Sequence, residues 1–353
     1  MKSYRLMRYG APLECREVGT PEPSGSEVVL AVQAAGICHT DIHVCEGGYD
    51  LGGGKFLKMS DRGAKLPHTP GHETVGTLVA AGPEAEGVAP GRSYLVYPWI
   101  GCGKCANCAA AREHVCTGAN RFLGVFADGG YSSHLVVPHP RYLLDIGDLA
   151  PAEAAPLACA GLTAFSAVRK LGKLIETAPI LVIGGGGLGL MCLSMLGALG
   201  AKGAVVADLD PAKREAAIAA GAIGAVDPRD ADAVAQIAAL CGGAPSAVID
   251  FVGARDSVQL AINAVAKGGT CVVIGLVGGD IPLSIPLLPL RSLTLMGSFV
   301  GSLAELHELL ALARAGKLAR IPITSRPMQE ANALLDALRE GRVIGRGVLL
   351  PAA

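Results

Sequence analysis

The sequence lacks an excess of charge of either sign. Its 353 residues carry 30 Lys and Arg against 31 Asp and Glu, and charged residues make up only 17% of the chain. Such a chain offers no broad cationic surface for nucleic acid or anionic lipid. With 51% hydrophobic residues it can bury a large core, and its length favours two domains over one small module.

Segments that direct a chain into or across a membrane are also not expected. The N-terminal stretch MKSYRLMRYGAPLECREVG scatters charges where a signal peptide needs an apolar core. Residues 178–201 carry no charged side chain, but Pro179 and seven glycines in this stretch fit a strand, turn and helix better than a membrane span. We therefore expect a soluble cytoplasmic protein without a membrane or nucleic-acid partner.

Disulfide bonds are not expected, because a reducing cytosol disfavours them and the eleven cysteines are odd in number. In that compartment clustered thiols indicate a metal ion, whereas isolated thiols indicate packing. We expect the five isolated cysteines to be small buried hydrophobic residues without a function: Cys15, Cys45, Cys192, Cys241 and Cys271.

The pattern of apolar segments along the chain changes near residue 160. Before it, short apolar runs such as 27–36 and 73–82 are separated by Pro and Gly turns, which predicts a β-rich half. After it, apolar strands alternate with Ala- and Leu-rich helical stretches, which predicts a parallel sheet of six strands. The run IPLSIPLLPL (281–290) contains too many prolines for a central strand or a helix.

A glycine motif follows the first of these strands. Gly184, Gly186 and Gly189 satisfy G-x-G-x-x-G, and a second strand ends at Asp208, 19 residues beyond the last glycine. Such a turn lets backbone N–H groups and a helix N-terminus approach a pyrophosphate, while the carboxylate accepts the ribose hydroxyls of adenosine. Because Asp208 would repel a 2′-phosphate, the motif predicts NAD rather than NADP.

Four cysteines are clustered within GCGKCANCAAAREHVC: Cys102, Cys105, Cys108 and Cys116. Thiolates at this spacing suit one tetrahedral zinc ion, and a complete shell of four sulfurs leaves no position open for substrate. The spacing therefore predicts a structural metal site. An iron–sulfur cluster is the alternative, because thiolates also hold such clusters.

A further group of metal-binding residue types is dispersed along the chain. Cys38 stands in CHTDIH, His72 and Glu73 in GHE, and Cys159 in PLACAGLT. Two thiolates and one imidazole, with a fourth position open, are an arrangement typical of catalytic zinc. Taken singly, each of these residues is also compatible with core packing.

Taken together and in this order, the motifs CHTDIH, GHE, the Cys₄ lobe, PLACAGLT and GGGGLG resemble the zinc-dependent alcohol dehydrogenases of the medium-chain dehydrogenase/reductase superfamily. The resemblance covers essentially the whole chain, and DRGAKLPHTPGHE, YPW and APLACAGLTAFSAVRK are most similar to the bacterial and archaeal members. It implies an α/β fold in which a doubly wound Rossmann domain (161–299) is inserted in a mostly-β, GroES-like catalytic domain (1–160 and 300–353). It also implies a homotetramer or homodimer.

The resemblance implies roles for individual residues. A catalytic zinc would be held by Cys38, His72 and Cys159, and Glu73 would enter the shell as ligands exchange. Asp41 would orient the zinc-bound imidazole. Thr40 and His43 would form a proton relay. Trp99 and Phe122 match walls of a substrate pocket.

Thirteen residues match positions that contact the cofactor in this family. They are His39, Thr163, Gly184, Gly186, Gly187, Leu188, Gly189, Asp208, Lys213, Ile274, Leu276, Phe299 and Arg346. His39 stands where relatives often have Arg, which predicts looser and more pH-sensitive cofactor binding.

The implied function is reversible oxidation of primary or secondary alcohols, hydrophobic or aromatic, to aldehydes or ketones by hydride transfer to NAD, with two zinc ions per chain. The alternatives are a zinc enzyme for polyols, threonine or aldehydes, a zinc-free quinone or enoyl reductase, and a non-catalytic NAD-binding sensor. The Gly-rich segment 46–67 lies between two expected zinc ligands and is predicted to border substrate entry.

Overall fold

The computed structural model describes residues 1–351, and most of its strands fall into two sheets. In chain order the strands are β1 (Lys2–Arg5), β2 (Glu14–Glu17), β3 (Val28–Gly36), β4 (Gly48–Asp50), β5 (Phe56–Lys58), β6 (Glu73–Ala81), β7 (Ser93–Val96), β8 (His134–Val137), β9 (Leu143–Asp145), β10 (Ile180–Ile183), β11 (Ala204–Ala207), β12 (Gly224–Val226), β13 (Ala247–Asp250), β14 (Thr270–Val273), β15 (Thr294–Gly297), β16 (Ile323–Pro327) and β17 (Arg346–Leu350).

In chain order the α-helices are α1 (His39–Glu46), α2 (Ala106–Ala109), α3 (Pro151–Ala154), α4 (Ala160–Leu171), α5 (Leu174–Thr177), α6 (Gly187–Ala198), α7 (Pro211–Ala219), α8 (Ala233–Cys241), α9 (Arg255–Ala264), α10 (Leu287–Arg291), α11 (Leu303–Arg314) and α12 (Ala331–Arg339). Short 3₁₀ helices lie at Ser60–Arg62, Glu113–Val115, Pro140–Tyr142, Ala155–Ala158 and Met328–Glu330.

Strands β10 to β15 form a parallel sheet in the order β12-β11-β10-β13-β14-β15. Its central strand β10 reads Ile-Leu-Val-Ile and is buried along its whole length, as expected where helices cover both faces. Ile180 pairs with Ala204 on one side, and Leu181 pairs with Val248 on the other. The strand order reverses at β10, where a doubly wound sheet leaves a crevice at its carboxyl edge. The predicted six-stranded Rossmann sheet is confirmed.

Strand β12 is the shortest of the six strands, with only the residues Gly, Ala and Val. One detail of this half differs from the sequence-based expectation. Residues 287–291 form the short helix α10, so the expectation that the proline-rich run contains no helix is wrong. Pro286 precedes the helix and Pro289 lies in its first turn, where N–H groups have no partner within the helix to lose.

The second sheet has the strand order β16-β17-β3-β6-β7-β9, with β8 also paired to β3. Its pairs are antiparallel except for β16 with β17. The late strand β17 returns to this sheet, where Val348 pairs with Gly36. The expected mostly-β domain is therefore built from both ends of the chain, while boundaries at residues 160 and 300 stay a prediction.

The helices are short and their ends follow local chemistry. At α11 the Ser302 hydroxyl accepts the N–H of Glu305 at 3.2 Å, while the Glu305 carboxylate accepts the N–H of Ser302 at 2.7 Å. The longest helices have twelve residues. Within residues 1–351 no helix is long and apolar enough to cross a membrane.

Four of the five isolated cysteines are buried, as predicted. Cys15 is the exception, because it lies on β2, whose residues are all exposed.

Candidate functional site

Two helix N-termini and the start of a strand bring four buried ligand groups together. Cys38 immediately precedes α1 and Cys159 immediately precedes α4. His72 immediately precedes β6, and Glu73 is its first residue. One ligand atom from each of the four residues lies within 4.8 Å of the others. Residues 121 positions apart in the sequence, Cys38 and Cys159, thus share one site.

The donor set of this site fits a zinc ion. His72 is buried and its Nε2 atom has no hydrogen-bond partner, which is costly unless a ligand completes it. A hydrogen bond from Cys159, followed by interactions with His72, lowers the pKa of the Cys38 thiol well below its ordinary value. Thiolate character of this kind is what metal binding requires.

One fully buried carboxylate holds two of the ligands. Asp41 Oδ1 accepts hydrogen bonds from His72 Nδ1 at 3.1 Å and from the Gly71 N–H at 3.2 Å. Its Oδ2 accepts the Cys38 N–H and the Tyr131 hydroxyl, both at 2.9 Å. The contact with Nδ1 leaves Nε2 free to bind a metal ion. Tyr131 has no local sequence signal, because its partner lies 90 residues away.

Glu73 is paired within the protein. Its Oε2 accepts Arg346 Nη2 at 2.6 Å and its Oε1 accepts the Ala160 N–H at 3.1 Å. Burial raises the pKa of Glu73 to about 7, although the charge of Arg346 opposes the rise. Arg346 Nη2 also donates to the Ile37 carbonyl at 2.6 Å, so the expected contact of Arg346 with a cofactor stays a prediction.

The four clustered thiols also converge. Their sulfurs lie within 4.8 Å of one another, with Cys105 at 3.4 Å from Cys108 and 3.9 Å from Cys116. Sulfurs around one tetrahedral zinc lie about 3.8 Å apart at the usual zinc–sulfur distance of about 2.3 Å. A backbone N–H bond from Cys108 lowers the pKa of Cys105 to about 5. This compact arrangement favours a single ion over an iron–sulfur cluster.

We expect Cys105→Ser to remove the zinc of this lobe and to lower the melting temperature by about 10 °C. Loss of a structural metal costs about 4 kcal/mol, and each kcal/mol shifts the midpoint by about 2–4 °C in a domain of this size. Metal analysis with differential scanning calorimetry measures both quantities. Cys15→Ser, at an exposed thiol, is the control. An unchanged midpoint with the full zinc content would contradict a structural role.

The glycine turn lies between β10 and α6. Gly184 has φ +96°, which favours glycine, and a Cβ on Gly189 would lie 1.9 Å from the Gly184 carbonyl oxygen. The Gly185 N–H donates to Asp208 Oδ2 at 2.7 Å, so the carboxylate lies at the turn. The N-terminus of α6 and this carboxylate fit a pyrophosphate and an adenosine ribose.

The other predicted cofactor residues surround the carboxyl edge of the parallel sheet. Ile274 and Leu276 follow β14, and Phe299 follows β15. The remaining ones are carried by α1, α4, α6 and α7: His39, Thr163, Leu188 and Lys213 respectively. Burial lowers the pKa of His39, and the positive charges of Arg346 and Lys213 lower it further. These basic groups thus lie near one another, as an anionic pyrophosphate requires.

A cavity of about 520 Å³ extends from Thr40 to the aromatic side chains of the site. The Trp99 ring centroid lies 5.5 Å from His72, 5.3 Å from Phe122 and 5.6 Å from Phe299. Trp99 Nε1 donates to the Ala158 carbonyl at 3.0 Å, next to Cys159 in the sequence. One indole therefore joins the metal-binding residues to an aromatic pocket.

The segment 46–67 forms the hairpin β4–β5 and a 3₁₀ turn, and it lines this cavity with Tyr49 and Arg62. The Arg62 guanidinium lies over the Phe126 ring at 5.2 Å. The thiol lobe contributes His114 to the same cavity. The sequence motifs do not mark these residues, because only the folded chain brings hairpin and lobe together.

Thr40 and His43 occupy the same face of α1, three residues apart. Thr40 lines the cavity, and the centroid of the His43 ring lies 4.7 Å from that of the Tyr49 ring, with the two rings tilted by 38°. Burial lowers the pKa of His43 below its ordinary value, so the imidazole is neutral at pH 7 and able to accept a proton.

A nucleotide-type turn at the sheet crevice and a zinc-type donor set beside an apolar cavity define a two-domain, metal-dependent dehydrogenase. Residues 24–148 match the family described as alcohol dehydrogenase GroES-like domain. Residues 187–315 match the family described as zinc-binding dehydrogenase. The chain belongs to the zinc-binding alcohol dehydrogenases with a GroES-like domain.

The chain matches relatives over essentially its whole length. The chain is 36% identical to an NAD-dependent alcohol dehydrogenase of Saccharolobus solfataricus, over 99% of this chain and 100% of the relative. It is 31% identical to a D-arabinose 1-dehydrogenase (NADP(+)) of the same organism, over 99% of this chain and 97% of the relative. The crystal structure of an alcohol dehydrogenase from Aeropyrum pernix superposes with a TM-score of 0.88 at 30% identity, covering 99% of this chain and 100% of that one.

Proposed function

We propose that this protein is an NAD-dependent zinc alcohol dehydrogenase. It interconverts primary or secondary alcohols, hydrophobic or aromatic, with aldehydes or ketones by hydride transfer. The observation that carries the proposal is the convergence of Cys38, His72 and Cys159 at one end of an aromatic cavity. The glycine turn with Asp208 supports NAD as the cofactor, as does the name of the 36% identical relative.

The metal-binding residues have separate tasks in this mechanism. Cys38, His72 and Cys159 would hold the zinc, with Glu73 as an exchangeable ligand. When bound, zinc supplies Lewis acidity that favours loss of the alcohol proton, and NAD supplies the hydride acceptor. Asp41 keeps His72 in one tautomer and anchors the Cys38 backbone, so both donors are held before substrate binds.

The proton is moved by residues of α1. The Thr40 hydroxyl, at the cavity wall, would accept the alcohol proton while donating its own toward His43. The lowered pKa of His43 keeps this imidazole neutral at pH 7, so it can accept the proton and release it to solvent. At pH values above the pKa of His43, the neutral imidazole can accept the proton, so the relay favours oxidation of the alcohol.

The substrate class follows from the cavity walls. Trp99, Phe122 and Phe299 pack edge-to-face or stacked around one another, and they exclude water from the reacting carbon. Such a pocket stabilises apolar or aryl groups and offers few partners to the hydroxyls of a polyol. The preference for hydrophobic alcohols is therefore part of the proposal.

A panel of primary, secondary, aromatic and polyhydric alcohols, assayed at 340 nm with NAD and NADP, tests the function. Zinc is quantified on the same samples. We expect turnover of hydrophobic alcohols with NAD and two zinc ions per chain. NADH binding without turnover of any alcohol or aldehyde would instead support a sensor, and a single zinc per active chain would support a zinc-free type of reductase.

We further propose that the chains form a homotetramer built from dimers, located in the cytoplasm. Strand β15 is the edge of the parallel sheet, and exposed apolar side chains lie on and near it, including Leu295, Leu290 and Ile285. An apolar edge of this kind is suited to a second copy that continues the sheet across a two-fold axis.

Leu290→Lys combined with Leu295→Lys is expected to lower the oligomeric state, because two charges at the edge oppose pairing. Sedimentation equilibrium measures the mass in multiples of the 35.8 kDa chain. Val79→Lys, at an exposed apolar residue of the other sheet, is the matched control. Equal masses for the double variant and the wild type would contradict an interface at β15.

A further inference from the structure

A cluster of four charged side chains lies at the adenosine end of the proposed nucleotide site. Asp208 follows β11, Arg214 lies on α7, and Asp227 and Arg229 follow β12. Arg214 Nη1 donates to the carbonyls of Asp208 at 2.7 Å and Leu209 at 3.0 Å. Arg229 Nη2 donates to the Leu209 carbonyl at 3.2 Å. Both guanidinium groups therefore lie beside the residue whose carboxylate marks the ribose position.

Asp227 binds both of these arginines. Its two oxygens accept Arg229 Nε at 2.9 Å and Arg229 Nη2 at 2.5 Å, which is the forked geometry that guanidinium offers to carboxylates and phosphates. The same carboxylate accepts Arg214 Nη1 at 3.2 Å. The Asp227 side chain is only 16% exposed, and that of Arg214 22%, so solvent screens this contact weakly.

A 2′-phosphate on adenosine needs cations at this position. Nucleotide-binding folds distinguish NADP from NAD by an arginine near the ribose in place of a carboxylate on its 2′-hydroxyl. This chain has the carboxylate, Asp208, and also two arginines beside it, but the Asp227 carboxylate binds Nη1 of Arg214 and both Nε and Nη2 of Arg229.

We propose that Asp227 is a second determinant of nucleotide specificity, an internal anion that withholds Arg214 and Arg229 from the 2′-phosphate of NADP. This inference rests on the nucleotide role proposed above for the same site. Asp208 repels the phosphate directly, whereas Asp227 removes the partners the phosphate would need. Because the two barriers differ in kind, removal of either one leaves the other in place.

A purely structural role for Asp227 makes a different prediction. Its Oδ1 also accepts the N–H of Arg229 at 3.0 Å, in a turn that an asparagine would preserve. If Asp227 only joins the ends of β11 and β12, Asp227→Asn lowers the melting temperature and leaves the nucleotide preference unchanged. The ratio of NADPH to NADH affinity therefore separates the two roles.

The test is titration of the zinc-loaded protein with NADH and with NADPH, followed by nucleotide fluorescence, without any alcohol. The variants are Asp208→Ala, Asp227→Asn and the double variant, with Asp227→Glu as the control that keeps the charge. We expect each single variant to improve the NADPH/NADH affinity ratio about tenfold, the value of one charge-assisted hydrogen bond. The double variant should exceed the product of the singles, because the freed arginines then meet an unopposed phosphate.

The same titrations also define the outcomes that would contradict this proposal. The inference about Asp227 is overturned if Asp227→Asn leaves the NADPH/NADH affinity ratio unchanged in both the wild-type and the Asp208→Ala background. If the wild type still binds NADH in that case, the proposed function stands. If Asp227→Glu changes the ratio as much as Asp227→Asn does, the negative charge is not the determinant. Failure of the wild type to bind either nucleotide would overturn both proposals.

Discussion

We expect Cys159→Ser to leave one zinc ion per chain instead of two, and to reduce kcat/KM by about 10³-fold or more. Lewis-acid stabilisation by zinc supplies several kcal/mol of the barrier reduction, and each 1.36 kcal/mol is about a factor of ten. Serine is a favoured residue before a helix, so the start of α4 should be retained. The loss is therefore expected to reflect the metal site rather than the fold.

Metal analysis and steady-state kinetics on the same preparation measure both effects. Cys271→Ser is the matched control, because Cys271 is buried, lies outside both thiol groups and donates to the Ala261 carbonyl at 3.5 Å, a contact that serine can keep. The control should hold two zinc ions and remain active. A Cys159→Ser protein with two zinc ions and undiminished turnover would refute the assignment of Cys159 as a ligand.

The second large effect is expected at the proton relay. Thr40→Val preserves the shape of the side chain but removes the hydroxyl, and we expect kcat/KM to fall by about 10²- to 10⁴-fold. Zinc content should stay at two per chain, because Thr40 is not a ligand. Kinetics over a range of pH, with metal analysis, separates this loss from a loss of metal.

Thr40→Ser is the control for the relay, because it keeps the hydroxyl while removing only a methyl group. We expect it to retain most of the activity. Should Thr40→Val turn over alcohols as fast as Thr40→Ser, proton transfer would take another route and the relay assignment would be wrong.

The parallel half of the fold was predictable because its signals are local. Buried strands such as Ile180–Ile183 read as apolar runs, and the glycine turn after them is a contiguous motif. The exception, α10, also has a local cause. This helix tolerates Pro289 because the residue lies in its first turn.

Local sequence patterns predicted the candidate site only in its residue types. They identify Cys38, His72 and Cys159 as possible donors, whereas the convergence of the three was expected only from the family resemblance. Contacts between distant residues have no local pattern, which is why the Tyr131 hydroxyl on Asp41 went unpredicted. The pairing of Arg346 with Glu73, 273 residues apart, is of the same kind.

We propose that a second zinc ion, separate from the one in the thiol lobe, faces the cofactor from Cys38, His72 and Cys159. Anomalous diffraction at the zinc edge, from crystals grown with NADH, tests this position most directly. We expect two peaks per chain, one among the four clustered thiols and one among these three ligands. A single peak in the thiol lobe, with NADH bound at the glycine turn, would contradict it.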